Sequence, residues 1–160
     1  MRIRIGQGID FHRLEEGLDL WLGGVKIPYK KGCVAHSDGD VLIHAICDAL
    51  LGAAGLKDIG HYFPDTDPEY KNIDSKILLK HTFELIKEKG YVINNLDSTL
   101  CLEEPRISPF IQEMKSTISS VLETESENVA IKATTTEKLG FTGRGEGIAA
   151  FAVVLLSQER

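Results

Sequence analysis

Residues 36–55, HSDGDVLIHAICDALLGAAG, read as a helix from about Asp38 to Ala54 that is apolar nearly all round. A helix with one apolar stripe can lie on a surface, but one that is apolar on every side must be covered on every side. Ser37 and Asp40 have capping-box spacing at its start, and Gly55 marks its stop. The chain has 160 residues, 42% hydrophobic and 26% charged, which fits one globular domain over residues 1–160 with a core of its own.

The remaining elements arrange themselves around this helix. LDLWLGGVKIP has two apolar runs joined by Gly23-Gly24, the signal of a hairpin. NIDSKILLKHTFELIKEKG predicts a second, amphipathic helix, stopped by Gly90, with Ile77, Leu78, Leu85 and Ile86 on its inner stripe. VINNLDSTLCL alternates as a strand, and SPFIQEMKSTISSVLE forms a third helix with Pro109 in its first turn. NVAIKAT and GIAAFAVVLL close the chain as two strands; the last is apolar on both faces and is expected to be buried on both. Strands and helices alternate irregularly, which predicts an α+β fold, a mixed sheet packed with helices on one face. One small domain can hardly cover both the first helix and the last strand, so some apolar surface is expected to meet a neighbour.

Several partners and compartments are disfavoured by composition. The net charge is −6, and the 18 Lys and Arg form no long basic run, which argues against a nucleic-acid scaffold. Cys33, Cys47 and Cys101 are far apart and odd in number, with no C-x-x-C spacing, unlike a disulfide framework or a thiolate zinc site. No apolar run approaches a membrane span, and strand-like sequence begins at once without a signal peptide, so a cytoplasmic protein with no membrane partner is expected.

The chemistry starts in GQGIDFHRL, residues 6–14, where a strand-forming stretch carries Asp10 and His12. Side chains two apart on a strand share a face, with Cα atoms roughly 6–7 Å apart, and can grip one object. On its own such a pair reads as a strand end with a solvated Asp and a surface His. His44 changes the reading. It stands among Val41, Leu42, Ile43, Ala45, Ile46 and Cys47, where an imidazole needs a partner. That partner is a backbone carbonyl if His44 is a core residue, or a metal ion if it joins Asp10 and His12 as an Asp/His/His set with an open fourth position. Asp40, four residues before His44, either orients its ring or caps the helix.

Two segments suit anions. His36-Ser37 precedes the first helix, where free N–H groups favour a phosphate, though an ordinary serine cap would look the same. KATTTEKLGFTGRGEG, residues 132–147, joins the hydroxyls of Thr134, Thr135 and Thr136, the acid Glu137, Lys138, Arg144 and four glycines. It can bring donors to a diphosphate while Glu137 holds a hard cation, or be a plain glycine-rich turn; it matches neither common nucleotide fingerprint. FPDTDP, residues 63–68, reads as a cation-holding turn or a solvated acidic loop.

DFH near the N-terminus, AHSDGDVLIHAICDALLGAAGLKDIGHYFPDTDP and KATTTEKLGFTGRGEGIA together resemble the 2-C-methyl-D-erythritol 2,4-cyclodiphosphate synthase family of the non-mevalonate isoprenoid pathway, nearly end to end. The resemblance implies an α+β homotrimer with active sites between subunits. It implies cyclisation of 4-diphosphocytidyl-2-C-methyl-D-erythritol 2-phosphate with release of CMP, a lyase reaction. Asp10, His12 and His44 would hold zinc, or manganese or another divalent metal in its place. His36 and Ser37 would contact the substrate phosphates, with His36 and Thr135 stabilising the transition state. Asp58 and Gly60 would hold the methylerythritol hydroxyls, with Phe63, Asp65 and Asp67 closing over them. Glu137 would bind magnesium or manganese on the diphosphate. Cytidine would sit on a neighbouring subunit between Leu102–Ser108, including Pro105, Arg106, Ile107 and Ser108, and Thr134, Thr135 and Thr136. Phe141 and Arg144 would stand near the substrate and the trimer axis, where some members admit an isoprenoid diphosphate. Two departures are visible: Gln7 replaces a common His, which touches only an outer or axial contact, and Arg106 replaces a common Lys with its charge kept.

No general base is required for this reaction. The nucleophile is the substrate's 2-phosphate, mostly dianionic near neutrality with a second pKa of about 6, and the leaving group is a phosphate too. What remains is anion repulsion and ring-closure entropy, tasks for positioning and charge neutralisation. Two rival readings are a zinc phosphoesterase acting on a small phosphate ester and a non-catalytic isoprenoid-diphosphate sensor.

Overall fold

Glycine at positions 6 and 8 of strand β1 (Arg2–Glu16) sets the layering of the molecule in the computed structural model, which describes residues 1–158. A Cβ on Gly6 would lie 1.9 Å from the Ala49 carbonyl oxygen, and one on Gly8 1.8 Å from that of Ala45. Helix α1 (Val41–Ala53) therefore rests directly on the strand backbone. Ten of its 13 residues are buried, as its all-round apolarity predicts; only His44, Asp48 and Gly52 are not.

The other strands are β2 (Leu20–Leu22), β3 (Val25–Ile27), β4 (Lys31–Cys33), β5 (Val92–Cys101), β6 (Val129–Thr134) and β7 (Gly147–Gln158). Five form one mixed sheet in the order β4-β1-β7-β5-β6, and β2 and β3 form the predicted hairpin. Both turn glycines have positive φ, +60° at Gly23 and +76° at Gly24, the conformation a two-residue hairpin turn requires. β1 and β7 pair antiparallel from Arg2–Gln158 to Arg13–Gly147, which sets Asp10 opposite Ala150 and His12 opposite Ile148. β5 and β6 run parallel, so the chain must cross over between them, and α4 (Ile111–Val121) lies in that crossover. α3 (Ser75–Glu88) packs on α1 and α4. Two single-turn helices, α2 (Ile59–Tyr62) and α5 (Gly140–Gly143), complete the set.

Four local expectations are corrected. α1 begins after Asp40, not Ser37: the buried Asp40 carboxylate accepts from the Ile43 amide at 3.0 Å and from the hairpin amides of Gly23 at 2.9 Å and Gly24 at 2.6 Å. Burial pushes its pKa up, against the pull of these amide donors. Asp40 is thus the cap, and it ties hairpin to helix. The inner stripe of α3 is Leu78, Leu79, Thr82, Phe83 and Ile86, whereas Ile77 is 46% exposed and Leu85 half-buried, because packing on α1 turns the helix slightly from the phase read from spacing. Pro109 lies in a 3₁₀ turn, Ser108–Phe110, that leads into α4. β7 is buried along its length on one face only: Ile148, Ala150, Ala152, Val154 and Leu156 meet the helices, while on the other face Ala149 is buried, Phe151 and Leu155 are half-buried and Val153 is 41% exposed. All long helices lie on one side of the sheet, which leaves Ile3, Ile5, Ile9, Phe11 and Val153 as an exposed apolar face. No helix among the described residues is long and apolar enough to cross a membrane.

Candidate active site

Asp10 and His12 project from the helix-facing side of β1, and His44 meets them from the first turn of α1, which Gly6 and Gly8 bring close. Asp10 Oδ2 lies 2.9 Å from His12 Nε2 and 3.2 Å from His44 Nδ1, and the two ring nitrogens are 3.1 Å apart. Three donors thus form a nearly equilateral triangle. Around a tetrahedral ion with bonds of about 2.0–2.1 Å, donor atoms stand about 3.3 Å apart, so the set fits a metal such as zinc with a small expansion. His12 and His44 of the set also line the adjoining cleft.

The rings are aimed by their far nitrogens. His12 Nδ1 is 3.1 Å from the Val34 carbonyl, an acceptor only, so in the neutral ring the proton sits on Nδ1 and Nε2 is free to ligate. Burial alone would lower the His12 pKa, but the Asp10 carboxylate outweighs it and raises it. Burial also works to raise the Asp10 pKa, yet the hydrogen bonds and charges of His12 and His44 hold it at about 2. Asp10 is therefore a carboxylate at any physiological pH. Cys33 offers no competing thiolate, since burial pushes it up to about 12.

A cleft of about 410 Å³ opens over the triangle. His12, His44, His36, Ser37, Gly60, Phe63 and Asp65 line it, all of them site residues expected from the sequence. His36 Nε2 stands 3.0 Å from the Asp67 carbonyl, so the imidazole braces the 63–67 turn. Asp58 caps α2 through the His61 amide at 2.9 Å, beside Gly60, with its carboxylate exposed. Tyr70, Ile73 and Leu78, which no motif marked, supply further wall. Asp48, one turn beyond His44, accepts from the Ile59 amide at 2.8 Å and fixes the start of α2.

The second group of expected residues lies elsewhere on the chain. Pro105, Arg106, Ile107, Ser108, Thr134 and Thr135 line a separate cleft of about 310 Å³. Thr136 is turned away, its hydroxyl bonded to the Leu139 carbonyl at 2.7 Å. Glu137, with φ of +53°, is exposed and accepts from the Thr135 hydroxyl at 3.2 Å; it does not join the Asp10, His12 and His44 group. Within one chain, therefore, His36 and Thr135 face different clefts. Phe141 packs edge-on against Phe11, with ring centres 6.0 Å apart, and Arg144 pairs with Glu146 at 2.8 and 3.0 Å. Gln7 lies exposed on the opposite face of β1 from Asp10, clear of the metal triangle.

The chain matches the YgbB family over residues 3–157. It is 57% identical to the 2-C-methyl-D-erythritol 2,4-cyclodiphosphate synthase of Bacteroides thetaiotaomicron over 99% of this chain and 100% of that one. Among solved structures, the bifunctional IspDF of Campylobacter jejuni superposes with a TM-score of 0.95 at 44% identity over 99% of this chain, which spans 43% of that longer protein. A 2C-methyl-D-erythritol-2,4-cyclodiphosphate synthase solved in a CDP-bound form matches at a TM-score of 0.89 and 38% identity, over 96% of this chain and 100% of that one. With its motifs, its mixed sheet and its Asp/His/His triangle in agreement, the chain belongs to the YgbB family, the family of the 2-C-methyl-D-erythritol 2,4-cyclodiphosphate synthases.

Proposed function

We infer that the protein converts 4-diphosphocytidyl-2-C-methyl-D-erythritol 2-phosphate into 2-C-methyl-D-erythritol 2,4-cyclodiphosphate and CMP, as a lyase of the non-mevalonate pathway. The observation that carries this reading is the triangle of Asp10, His12 and His44, whose two histidines line a cleft with His36 and Ser37, in a chain related to the synthases over its whole length. An oxygen of the 2-phosphate attacks the β-phosphorus, the bond from that phosphorus to the oxygen of CMP breaks, and CMP leaves with the electron pair. No proton has to be removed first.

The chain's residues supply placement and charge compensation. Asp10, His12 and His44 would hold a divalent ion, zinc in this reading, which would supply Lewis-acid polarisation when bound. His36 and Ser37 donate to phosphate oxygens from the loop before α1, and Thr135 meets the developing charge from the other side. Asp58 and Gly60 hold the methylerythritol hydroxyls, with Phe63, Asp65 and Asp67 closing over them. Glu137, an exposed carboxylate on a tight loop, would hold a hard cation such as magnesium or manganese, which would supply charge neutralisation for the diphosphate. The cleft at Pro105–Ser108, Thr134 and Thr135 takes cytidine, in keeping with the CDP bound to a relative.

Because that cleft and the metal triangle are separate within one chain, we assign each complete site to two neighbouring copies of a homotrimer. The exposed apolar face of β1 and β7 is the surface such copies would share, with Phe141 and Arg144 toward its axis, where an isoprenoid diphosphate could enter. We assign the protein to the cytoplasm, a reading supported by its relatedness to bacterial biosynthetic enzymes. The test is elemental analysis of the purified protein with a CMP-release assay and phosphorus NMR of the product. Bound zinc, CMP and a cyclic diphosphate are expected. A linear phosphate product would make the protein a phosphoesterase, and binding without CMP release a sensor.

A further inference from the structure

We propose that Ser75 and Asp38 are positioning residues of the metal centre, forming a relay that keeps the His44 proton on Nε2 and leaves Nδ1 free for the ion. The inference rests on the reading of Asp10, His12 and His44 as the ligand set. His44 Nε2, the nitrogen turned away from Asp10 and His12, lies 2.9 Å from the Ser75 hydroxyl and 3.2 Å from that of Ser37. Ser75 is fully buried at the first position of α3, and its hydroxyl donates to Asp38 Oδ1. The same carboxylate accepts from the Ser75 amide at 2.9 Å and the Asp40 amide at 3.1 Å. It is therefore held from three directions and cannot swing away.

The direction of the relay follows from counting protons. A serine hydroxyl has one proton, and that of Ser75 is committed to Asp38, which can only accept. Toward His44 the hydroxyl then presents a lone pair. A bare Nε2 at 2.9 Å would set two lone pairs against each other in a buried place, so Nε2 carries the hydrogen, and Nδ1, 3.2 Å from Asp10 Oδ2, is the nitrogen left to the ion once a metal takes the place of that contact. Ser37 is less constrained: its oxygen accepts from the Gly39 amide at 3.2 Å, and its own proton remains available to a phosphate. The Asp38 charge at the far end also makes the His44 ring a stronger donor to a metal, as carboxylates behind ligating histidines do.

The relay joins parts of the chain that are far apart in sequence. Asp38 donates its amide to the Ile73 carbonyl at 3.1 Å, and the Asn72 amide donates to His36 at 2.7 Å. The loop before α1 and the start of α3 thus form one unit around His44. Asp40, the residue whose spacing suggested an orienting role, spends its carboxylate on hairpin and helix amides. Orientation of His44 falls to a serine 31 positions away.

Two measurements test this. Long-range proton–nitrogen NMR of the zinc-loaded wild-type protein reads directly which His44 nitrogen carries the proton and which binds the ion. The Nε2–H form is expected; a predominant Nδ1–H form overturns the proposal whether or not any variant folds. Zinc affinity of Ser75→Ala, measured by chelator competition, should fall about 10–100-fold, with His44 now a mixture of tautomers. A variant that loses stability but binds zinc within about twofold of wild type shows Ser75 to be structural only, and the relay is wrong.

Discussion

Each ring nitrogen in the triangle has its own partner. His12 gives Nδ1 to the Val34 carbonyl and His44 gives Nε2 to Ser75, so the rings arrive with opposite nitrogens toward Asp10. Asp10, held at about 2 by the two histidines against the effect of burial, needs no deprotonation to join them. Removing one ring should undo the site. His44→Ala leaves two protein ligands, too few for tight zinc, and should leave only a small fraction of the metal in elemental analysis. The loss of several kcal/mol of Lewis-acid stabilisation corresponds to a drop of about 10²–10³-fold in CMP release. Full zinc occupancy in this variant would mean that the ligand assignment is wrong.

Elements meet at this site because two glycines let them. Gly8→Ala places a Cβ 1.8 Å from the Ala45 carbonyl oxygen and 2.7 Å from the Ala49 amide nitrogen, both backbone atoms of α1 that cannot rotate aside. Strand and helix must separate, which should cost about 3 kcal/mol or more in urea unfolding and reduce zinc content too, since His44 rides on that helix. Gly17→Ala is the control. Its φ of +83° strains an alanine by about 1–2 kcal/mol, but nothing lies within 4 Å, and zinc should be unchanged. If both variants lose zinc equally, close approach at Gly8 is not what builds the site. A second element-scale test concerns α3 and the turn after α4, where Glu123 accepts from Lys80 at 2.7 Å and Lys87 at 2.8 Å. Lys80, then Lys87, hold its carboxyl at about 2, below the ordinary 4.5. The native state therefore binds fewer protons than the unfolded one, and the pair contributes stability above about pH 4.5 that is lost as pH falls toward 2. Glu123→Gln should be slightly less stable than wild type at about pH 6, with the gap closing at about pH 3 and in about 1 M salt, because the pair is exposed. A gap that stays constant across pH would place its origin outside the carboxylate charge.

For the whole molecule the decisive feature is the face the helices leave bare. Ile5 is 71% exposed, Ile3 56% and Phe11 54%, with Val153 beside them on β7. A contiguous apolar face of this kind is costly in water and suits association. Shared sites predict complementation. Under the shared-site assignment Asp10→Ala would lack the metal half and Thr134→Trp would block the cytidine half, so each should be inactive alone. Refolded together in equal amounts, about a quarter of the subunit interfaces would pair an intact metal half with an intact cytidine half, and CMP release should return to about that fraction of wild type. Mixed trimers that stay inactive, or a dilute monomer that keeps full activity, would refute the shared-site assignment.

What the sequence determined by itself was whatever depends on near neighbours along the chain. The two-residue repeat of β1 put Asp10 and His12 on one face, the apolar surroundings of His44 marked it as a partnered histidine, and Gly23-Gly24 marked the hairpin. Long motifs made the family legible, because they carry many chemically specific residues at set spacings. Tertiary structure decided what depends on distant partners. The capping of α1 by Asp40 involves a hairpin 16 and 17 residues earlier, and the His44–Ser75–Asp38 relay closes over 31 and 37 positions, so no local period could reveal either. Ile77 gave its place to Leu79 and Phe83 because packing on α1, not the stripe alone, sets how α3 turns. β7 looked buried on both faces because its residues are apolar on both, yet burial requires something to lie against, and one chain has helices for only one side, so beyond Ala149 the other face stays partly open. Side-chain chemistry is written residue by residue, while contact is a property of where the chain returns.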